Sequence, residues 1–211
     1  MGSLMVGVQA ARALSQAWDV PVLGVNHLEG HLFAPMVDSE DLKPPFLSLI
    51  VSGGHTEIVR VDALGSYALL GQTRDDAAGE AYDKAARILG FPYPGGPEID
   101  RLAQDGDPDA FAFPVPLQHT KQVEFSFSGL KTALLWQVRR LEALGSEGGE
   151  LPLANLCASF QSAVTRALIA KVALAVRTTG IRSVTASGGV AANSALRRAL
   201  TEGIEARRWR A

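Results

Sequence analysis

Leu4, Val8, Ala11 and Leu14 recur at helical spacing, which predicts an amphipathic helix at the start of the chain. "VPVLGV" (Val20 to Val25) is a continuous apolar run of strand length and predicts a short buried strand. "NHLEGHL" then opens a second helix. Two β-rich runs in "PFLSLIVSGGHTEIVRVD", broken at Ser52, Gly53 and Gly54, and a third in "SYALLGQT" predict an antiparallel meander. Helical patterns follow at about 76–90, 96–104, 128–144 and 153–179. "RSVTASGGVAANSALRRAL" predicts a strand that runs into Gly188 and Gly189 and then a helix. The order of elements is that of an α/β protein.

The last unit echoes "LIVSGG", since both strands end in Ser-Gly-Gly. Such an echo is what a duplicated α/β lobe leaves behind, with chance as the rival in a chain of 21 glycines. "DSEDLKPP" (38–45) and "LGSEGGELP" (144–152) are the candidate flexible segments, the second a candidate hinge.

Composition narrows the classes. The 211 residues are 47% hydrophobic, enough for one domain or two small lobes, and the formal charge of −2 gives no global positive field for nucleic acid. A polyanion would need a local patch, such as Arg197, Arg198, Arg207, Arg208 and Arg210. The single cysteine, Cys157, excludes an internal disulfide and reads as a buried structural thiol. The first eighteen residues lack a basic n-region and a cleavage-like site, and no stretch approaches the roughly 20 apolar residues of a membrane span, so the expectation is a cytoplasmic protein with no membrane partner.

The candidate chemistry lies in the polar motifs. His27 and His31, four apart on a helix, can point two imidazoles at one metal ion, or can simply cap and line that helix. Zinc peptidases of the H-E-x-x-H type place their glutamate directly after the first histidine. Glu29 lies two residues on, roughly 200° around the helix, which argues against peptide cleavage. "VSGGHT" is either a hairpin turn or an anion nest. In "DDAAGEAYDKAARILGFPYPGGPEID", Asp76 and Glu80 share a helical face, Asp83 lies one turn beyond, and Lys84 can pair with Glu80. The rigid "PYPGGPEID" sets Gly95 and Gly96 at a helix N-terminus, with Asp100 one turn in, where anions and ribose hydroxyls are readily held. Asn193, in "SGGVAANSALR", is placed to hydrogen-bond a base or sugar edge. "FSFSGLKTAL" offers Ser128 as an N-cap, and Lys131 as either an anion contact or a surface lysine. Three Gly-Gly turns beside strand ends or helix starts favour a bound nucleotide.

Taken in order, "NHLEGHL", "LIVSGGHTEI", "DDAAGEAYDKAARILGFPYPGGPEID", "FSFSGLKTA" and "SGGVAANSALR" resemble the TsaD family, also described as the Gcp or glycoprotease-like family, over about residues 1–200. The resemblance implies an α/β fold of the actin-like ATPase kind, with RNase H-like duplicated lobes. It implies transfer of a threonylcarbamoyl group from threonylcarbamoyl-adenylate to the N6 amine of the adenosine 3′ of the anticodon, in tRNAs reading codons that begin with A. By position, His27 and His31 match metal ligands, with iron expected and zinc the alternative. Ile50, Val51, Ser52, Gly53 and Gly54 match a first substrate-contacting turn, and Asp83, Gly96, Asp100 and Asn193 further substrate or nucleotide contacts. ATP or threonylcarbamoyl-adenylate is the implied nucleotide, tRNA and subunits of the TsaB and TsaE type the implied partners. No catalytic nucleophile is expected on the protein, because the tRNA amine supplies it.

The family opens with a strand and phosphate-binding turn ahead of "MGSLMVGV", and closes with an Asp-Asn segment whose aspartate completes the metal site. The expectation is therefore a partial domain over 1–211, truncated at both termini, with an incomplete first lobe, a second lobe cut short, and its own activity open. Asp100 is the first candidate for a substitute third ligand. The competing readings are a non-catalytic nucleotide- or partner-binding relic, a metallopeptidase, and another actin-like ATPase such as a sugar kinase or a different carbamoyl transferase.

Overall fold

The computed structural model describes residues 2–39, 41–144, 151–206 and 209. The arginine cluster at Arg207, Arg208 and Arg210 and most of the candidate hinge at 144–152 lie outside them. The chain divides into two compact units, Met1–Gly30 and His31–Ala211.

The first unit contains helix α1 (Gly2–Trp18) and the opening of α2 (His27–Asp38). Asn26 caps α2, its Oδ1 accepting from the Leu28 and Glu29 amides at 2.9 and 3.4 Å. The strand expected at Val20–Val25 does not form, and Val22, Leu23 and Val25 are 54%, 87% and 73% exposed. An apolar extended run becomes a strand only where a neighbour offers its own main-chain donors and acceptors. Among the described residues no strand pairs with this one.

The second unit is built on one sheet in the order β3–β2–β1–β4, with β1 Phe46–Val51, β2 Thr56–Ala63, β3 Ser66–Gln72 and β4 Val184–Ser187. The first three strands form the expected antiparallel meander, and β4 lies parallel to β1. "FLSLIV" is buried along its whole length because both of its faces are covered. Leu47, Leu49 and Val51 enter the main core, while Phe46 and Ile50 enter a smaller one with Leu32, Val59 and Val61. Leu42 belongs to that smaller core, so part of the 38–45 segment is anchored.

Helices α3 (Ala78–Ile88), α4 (Gly95–Ala103), α5 (Ser128–Leu144), α6 (Leu153–Thr179) and α7 (Ser194–Glu205) follow the expected boundaries closely. Long α6 is the main core helix. Gly180, in the left-handed region at φ 74°, ends it by donating to Val176 O at 2.9 Å. Contrary to the sequence expectation, α6 is long and apolar enough to cross a bilayer by length and composition, yet most of its apolar window is buried inside the fold. Phe160, two turns into it, is fully buried and meets Tyr82 edge-on at 5.7 Å and Phe113 at 6.4 Å. Truncating such a ring to alanine costs about 3–5 kcal/mol. Cys157 is buried too, and burial pushes its thiol up to about 12, which suits a structural role.

The Ser-Gly-Gly echo has a different meaning from the one expected. Its two strands, β1 and β4, are adjacent in a single sheet, so the repeat sets two glycine turns side by side and does not mark two lobes.

Candidate functional site

In open α/β sheets, ligands collect beyond the carboxyl ends of parallel strands, where side-chain-free turns leave room. β1 runs on from Val51 into Ser52-Gly53-Gly54. β4 runs on from Ser187 into Gly188, followed by a 3-10 turn over Gly189–Ala192. Gly188 stands at φ 95°, and a Cβ there would lie 2.4 Å from Val51 O, so the two strand ends touch through backbone that admits no side chain.

α3 arrives at the same place. The Gly79 amide donates to Ser52 O at 3.2 Å, and a Cβ on Gly79 would lie 2.6 Å from that oxygen. From α3, Asp83 reaches the start of α4, where its Oδ1 accepts from the Gly95 amide at 2.9 Å. These contacts enclose a cleft of about 470 Å³. Gly53, Asp83, Gly96, Asp100 and Asn193, drawn from motifs far apart in sequence, all line it.

Gly53 and Gly189 differ from Gly79 and Gly188. A Cβ on either would meet no protein atom within 4 Å, and a Cβ on Gly96 would make only ordinary contact, at 3.9 Å with Tyr82 Cβ. Packing does not require glycine at these three positions. Glycine carries an entropic penalty of roughly 0.5–1 kcal/mol relative to alanine in regular structure. The open space beside the main chain at Gly53 and Gly189 leaves room for a ligand to approach closely.

The other expected contacts are placed differently. Ile50 and Val51 are buried strand residues whose side chains enter the two cores, so only their main chain can reach a ligand. The Ser52 hydroxyl turns back to accept from the Gly54 and His55 amides at 3.3 and 3.0 Å. Gly54 is exposed and outside the cleft lining.

Asp100, half-buried, and Asn193, buried, belong to one polar cluster. Asp100 Oδ1 accepts from Ser194 Oγ at 2.6 Å and from Asn193 Nδ2 at 3.1 Å. Asn193 Oδ1 caps α7 by accepting from the Leu196 amide at 3.0 Å. The free base-reading edge expected of Asn193 is thus engaged inside the protein. Tyr82 also lines the cleft. Burial, and then the charge of Asp100, push its hydroxyl well above the ordinary tyrosine range, so it stays protonated. Arg101 on the rim is held by Glu98 at 2.5 Å, and Tyr93 beside it is 84% exposed.

Elsewhere, Lys84 pairs with Glu80 at 2.9 Å as expected, and also with Asp76 at 2.5 Å. Ser128 is the first residue of α5 and not its cap. The capping group is Asp75, which sequence reasoning passed over: its Oδ1 accepts from the Phe127 and Ser128 amides at 2.8 and 3.2 Å, and its Oδ2 from Ser126 and Ser128 hydroxyls at 2.6 and 2.8 Å. Lys131 is exposed and does not line the cleft.

The boundary between the two units falls inside α2 after Gly30, so His27 belongs to the first and His31 to the second. Among the described residues no group of three or more histidine, cysteine, aspartate or glutamate side chains gathers to hold a metal ion. Asp100, the first candidate for a substitute ligand, belongs to no such group among the described residues, and its Oδ1 is occupied by its own neighbours.

Comparison with known proteins adds an independent line. The TsaD family profile, described as tRNA N6-adenosine threonylcarbamoyltransferase, matches residues 1–209. A protein of that name from Geotalea daltonii is 52% identical over 209 residues, covering 97% of this chain and 60% of its own length. Another, from Geobacter metallireducens, is 55% identical over 197 residues, covering 93% of this chain and 57% of its own. The chain thus spans about 60% of the length of these curated relatives. Among solved structures, full-length HypF in its phosphate- and nucleotide-bound form superposes with a TM-score of 0.65 at 16% identity, over 91% of this chain and 40% of that one. Component A of the Acidaminococcus fermentans (R)-2-hydroxyglutaryl-CoA dehydratase superposes with a TM-score of 0.52 at 17% identity, over 84% and 58%. Both carry the actin-like ATPase fold, and likeness at these identities concerns the fold alone.

Proposed function

Because the chain belongs to the TsaD family, we propose that its cleft holds an adenylate for transfer of a threonylcarbamoyl group to the N6 amine of the adenosine 3′ of the anticodon in tRNA. The observation that carries this reading is the convergence of Gly53, Asp83, Gly96, Asp100 and Asn193 on one cleft at the carboxyl ends of β1 and β4. The nucleotide-bound state of HypF, a protein of like fold, supports a nucleotide ligand, whether ATP or threonylcarbamoyl-adenylate.

The transfer requires little covalent chemistry from the protein. The tRNA amine attacks the carbamoyl carbon, a C–N bond forms, and the bond from that carbon to the phosphate oxygen breaks. AMP leaves with the electron pair, and the amine proton passes to solvent. The part assigned to this chain is positioning. Main-chain N–H groups at the glycine turns face the phosphate and the charge that develops on it, while the carboxylates accept from ribose hydroxyls. The Tyr82 hydroxyl, kept neutral, adds a polar group without adding charge.

His27 and His31 are the residues that would offer imidazoles to a divalent metal, iron or zinc, which would supply Lewis-acid polarisation of the carbamoyl group. The described residues add no third ligand, the donor set does not fit a closed site, and no step is assigned to a metal. A cytoplasmic setting and partner subunits of the TsaB and TsaE type accord with tRNA as substrate.

The test compares this chain with a version extended to the length of its relatives, each given tRNA, threonylcarbamoyl-adenylate and the partner proteins. Threonylcarbamoyl-adenosine formed by the extended chain, and lost on Gly53→Val, is the expected result. Unimpaired transfer by Gly53→Val would remove the cleft from the reaction.

A further inference from the structure

We propose that Gln161, a residue of α6 outside every recognised motif, is a positioning residue that fixes which oxygen of Asp100 faces the cleft. The inference rests on the nucleotide reading given above. Gln161 is only 4% exposed, so it does not meet a ligand itself. Its Nε2 donates to Asp100 Oδ1 at 3.1 Å, and its Oε1 accepts from Asn193 Nδ2 at 2.6 Å. Asn193 Nδ2 donates in turn to Asp100 Oδ1 at 3.1 Å, closing a triangle between α4, α6 and the start of α7.

The two carboxylate oxygens are loaded unequally. Oδ1 takes the donors from Gln161, Asn193 and the Ser194 hydroxyl, and shares the Ser194 amide at 3.2 Å. Oδ2 takes only that shared amide, at 3.1 Å. A carboxylate oxygen can accept about two hydrogen bonds, so the remaining capacity lies on Oδ2. Asp100 lines the cleft, and an ionised carboxylate only accepts, so its partner must be a donor such as a ribose hydroxyl.

Asn193 has no comparable capacity. Both of its amide hydrogens are engaged, and its oxygen caps α7. It acts through Asp100, as Gln161 does. Removing the Gln161 amide strips one donor from Oδ1 and leaves an Asn193 N–H buried and unpaired, which frees the carboxylate to rotate. The ligand class is a nucleotide with an intact ribose diol, and the diol is what the network recognises.

The experiment uses the 211-residue chain as wild type, Gln161→Met and Gln161→Leu, titrated calorimetrically with AMP and with 2′,3′-dideoxyadenosine 5′-monophosphate. Gln161→Met removes both hydrogen bonds at similar volume. Gln161→Leu removes the same two hydrogen bonds with a different apolar shape and no new charge, so it decides the matter if the first variant does not fold. The expected result is that each folded variant loses about tenfold in AMP affinity while its affinity for the dideoxy probe equals that of wild type. A merely structural role would weaken both probes alike, and that result, or undiminished AMP binding, overturns the inference. If wild type binds neither probe, the nucleotide reading itself fails and the positioning claim falls with it.

Discussion

Ile50 and Ser187 sit opposite each other in the parallel ladder of β1 and β4. That register delivers the turns that follow them, at Gly53 and Gly189, to one cleft. Two segments more than a hundred residues apart become a single binding surface because a parallel pair ends at the same edge of the sheet.

The glycines around this edge should separate into two classes. Gly188→Ala forces a methyl to within 2.4 Å of Val51 O at a left-handed φ, and a loss of about 1–3 kcal/mol in urea unfolding is expected. Gly53→Ala meets no protein atom and is expected to change stability by less than about 0.5 kcal/mol while weakening AMP binding at least about tenfold. Equal effects of the two substitutions on stability would mean that the division is wrong.

Asp75 ties the end of the meander to the start of α5. Burial pushes its pKa up, but hydrogen bonds from the Ser126 hydroxyl, the Phe127 amide and Ser128 outweigh it and hold the carboxyl below its ordinary 3.8. A folded-state pKa below the unfolded one gives stability that is present above the unfolded value and is lost as pH falls through the folded value. Asp75→Asn should therefore cost about 1 kcal/mol near pH 7, with the gap to wild type narrowing as the pH falls below the ordinary carboxylate range. A gap that widens on acidification would reverse the sign argued here.

Lys171 is 1% exposed and donates to Thr120 Oγ1 at 2.7 Å, Gln122 O at 2.9 Å and Thr120 O at 3.3 Å. It pins the 117–122 loop to the core helix. Lys171→Met keeps the apolar stem but strands two carbonyls, so a loss of about 2 kcal/mol is expected in thermal or urea unfolding. A variant as stable as wild type would show that water replaces the ammonium without cost.

Much of this was legible in the sequence. The meander, α3 to α7 and the glycine turns follow from period, caps and breakers, because those signals act within a few residues. Val20–Val25 misled, since pairing is decided by a partner that the run itself cannot name. Asp75 was missed because its partners lie about fifty residues on, at Ser126, Phe127 and Ser128. Gln161 had one usable signal, a long amide on the apolar face of "LCASFQSAV", and burial of such a group implies partners. The engagement of Asn193 and of Asp100 Oδ1 needed coordinates, since spacing indicates proximity and not which oxygen is spent.

Metal affinity should be modest for this chain. With two histidines and no third ligand grouped among the described residues, Zn²⁺ or Fe²⁺ titrated by competition with a chromophoric chelator should bind in the micromolar range or weaker, and His27→Ala should reduce it further. Nanomolar binding that survives His27→Ala would place the ion elsewhere.

The most direct measurement is an amide correlation spectrum of the isotopically labelled chain titrated with AMP. The account predicts saturable shifts concentrated at Gly53, Gly96 and Gly189, with the α7 cap at Leu196 following. Saturable shifts confined to other residues, or none at millimolar AMP, would contradict the assignment of the cleft as a nucleotide site.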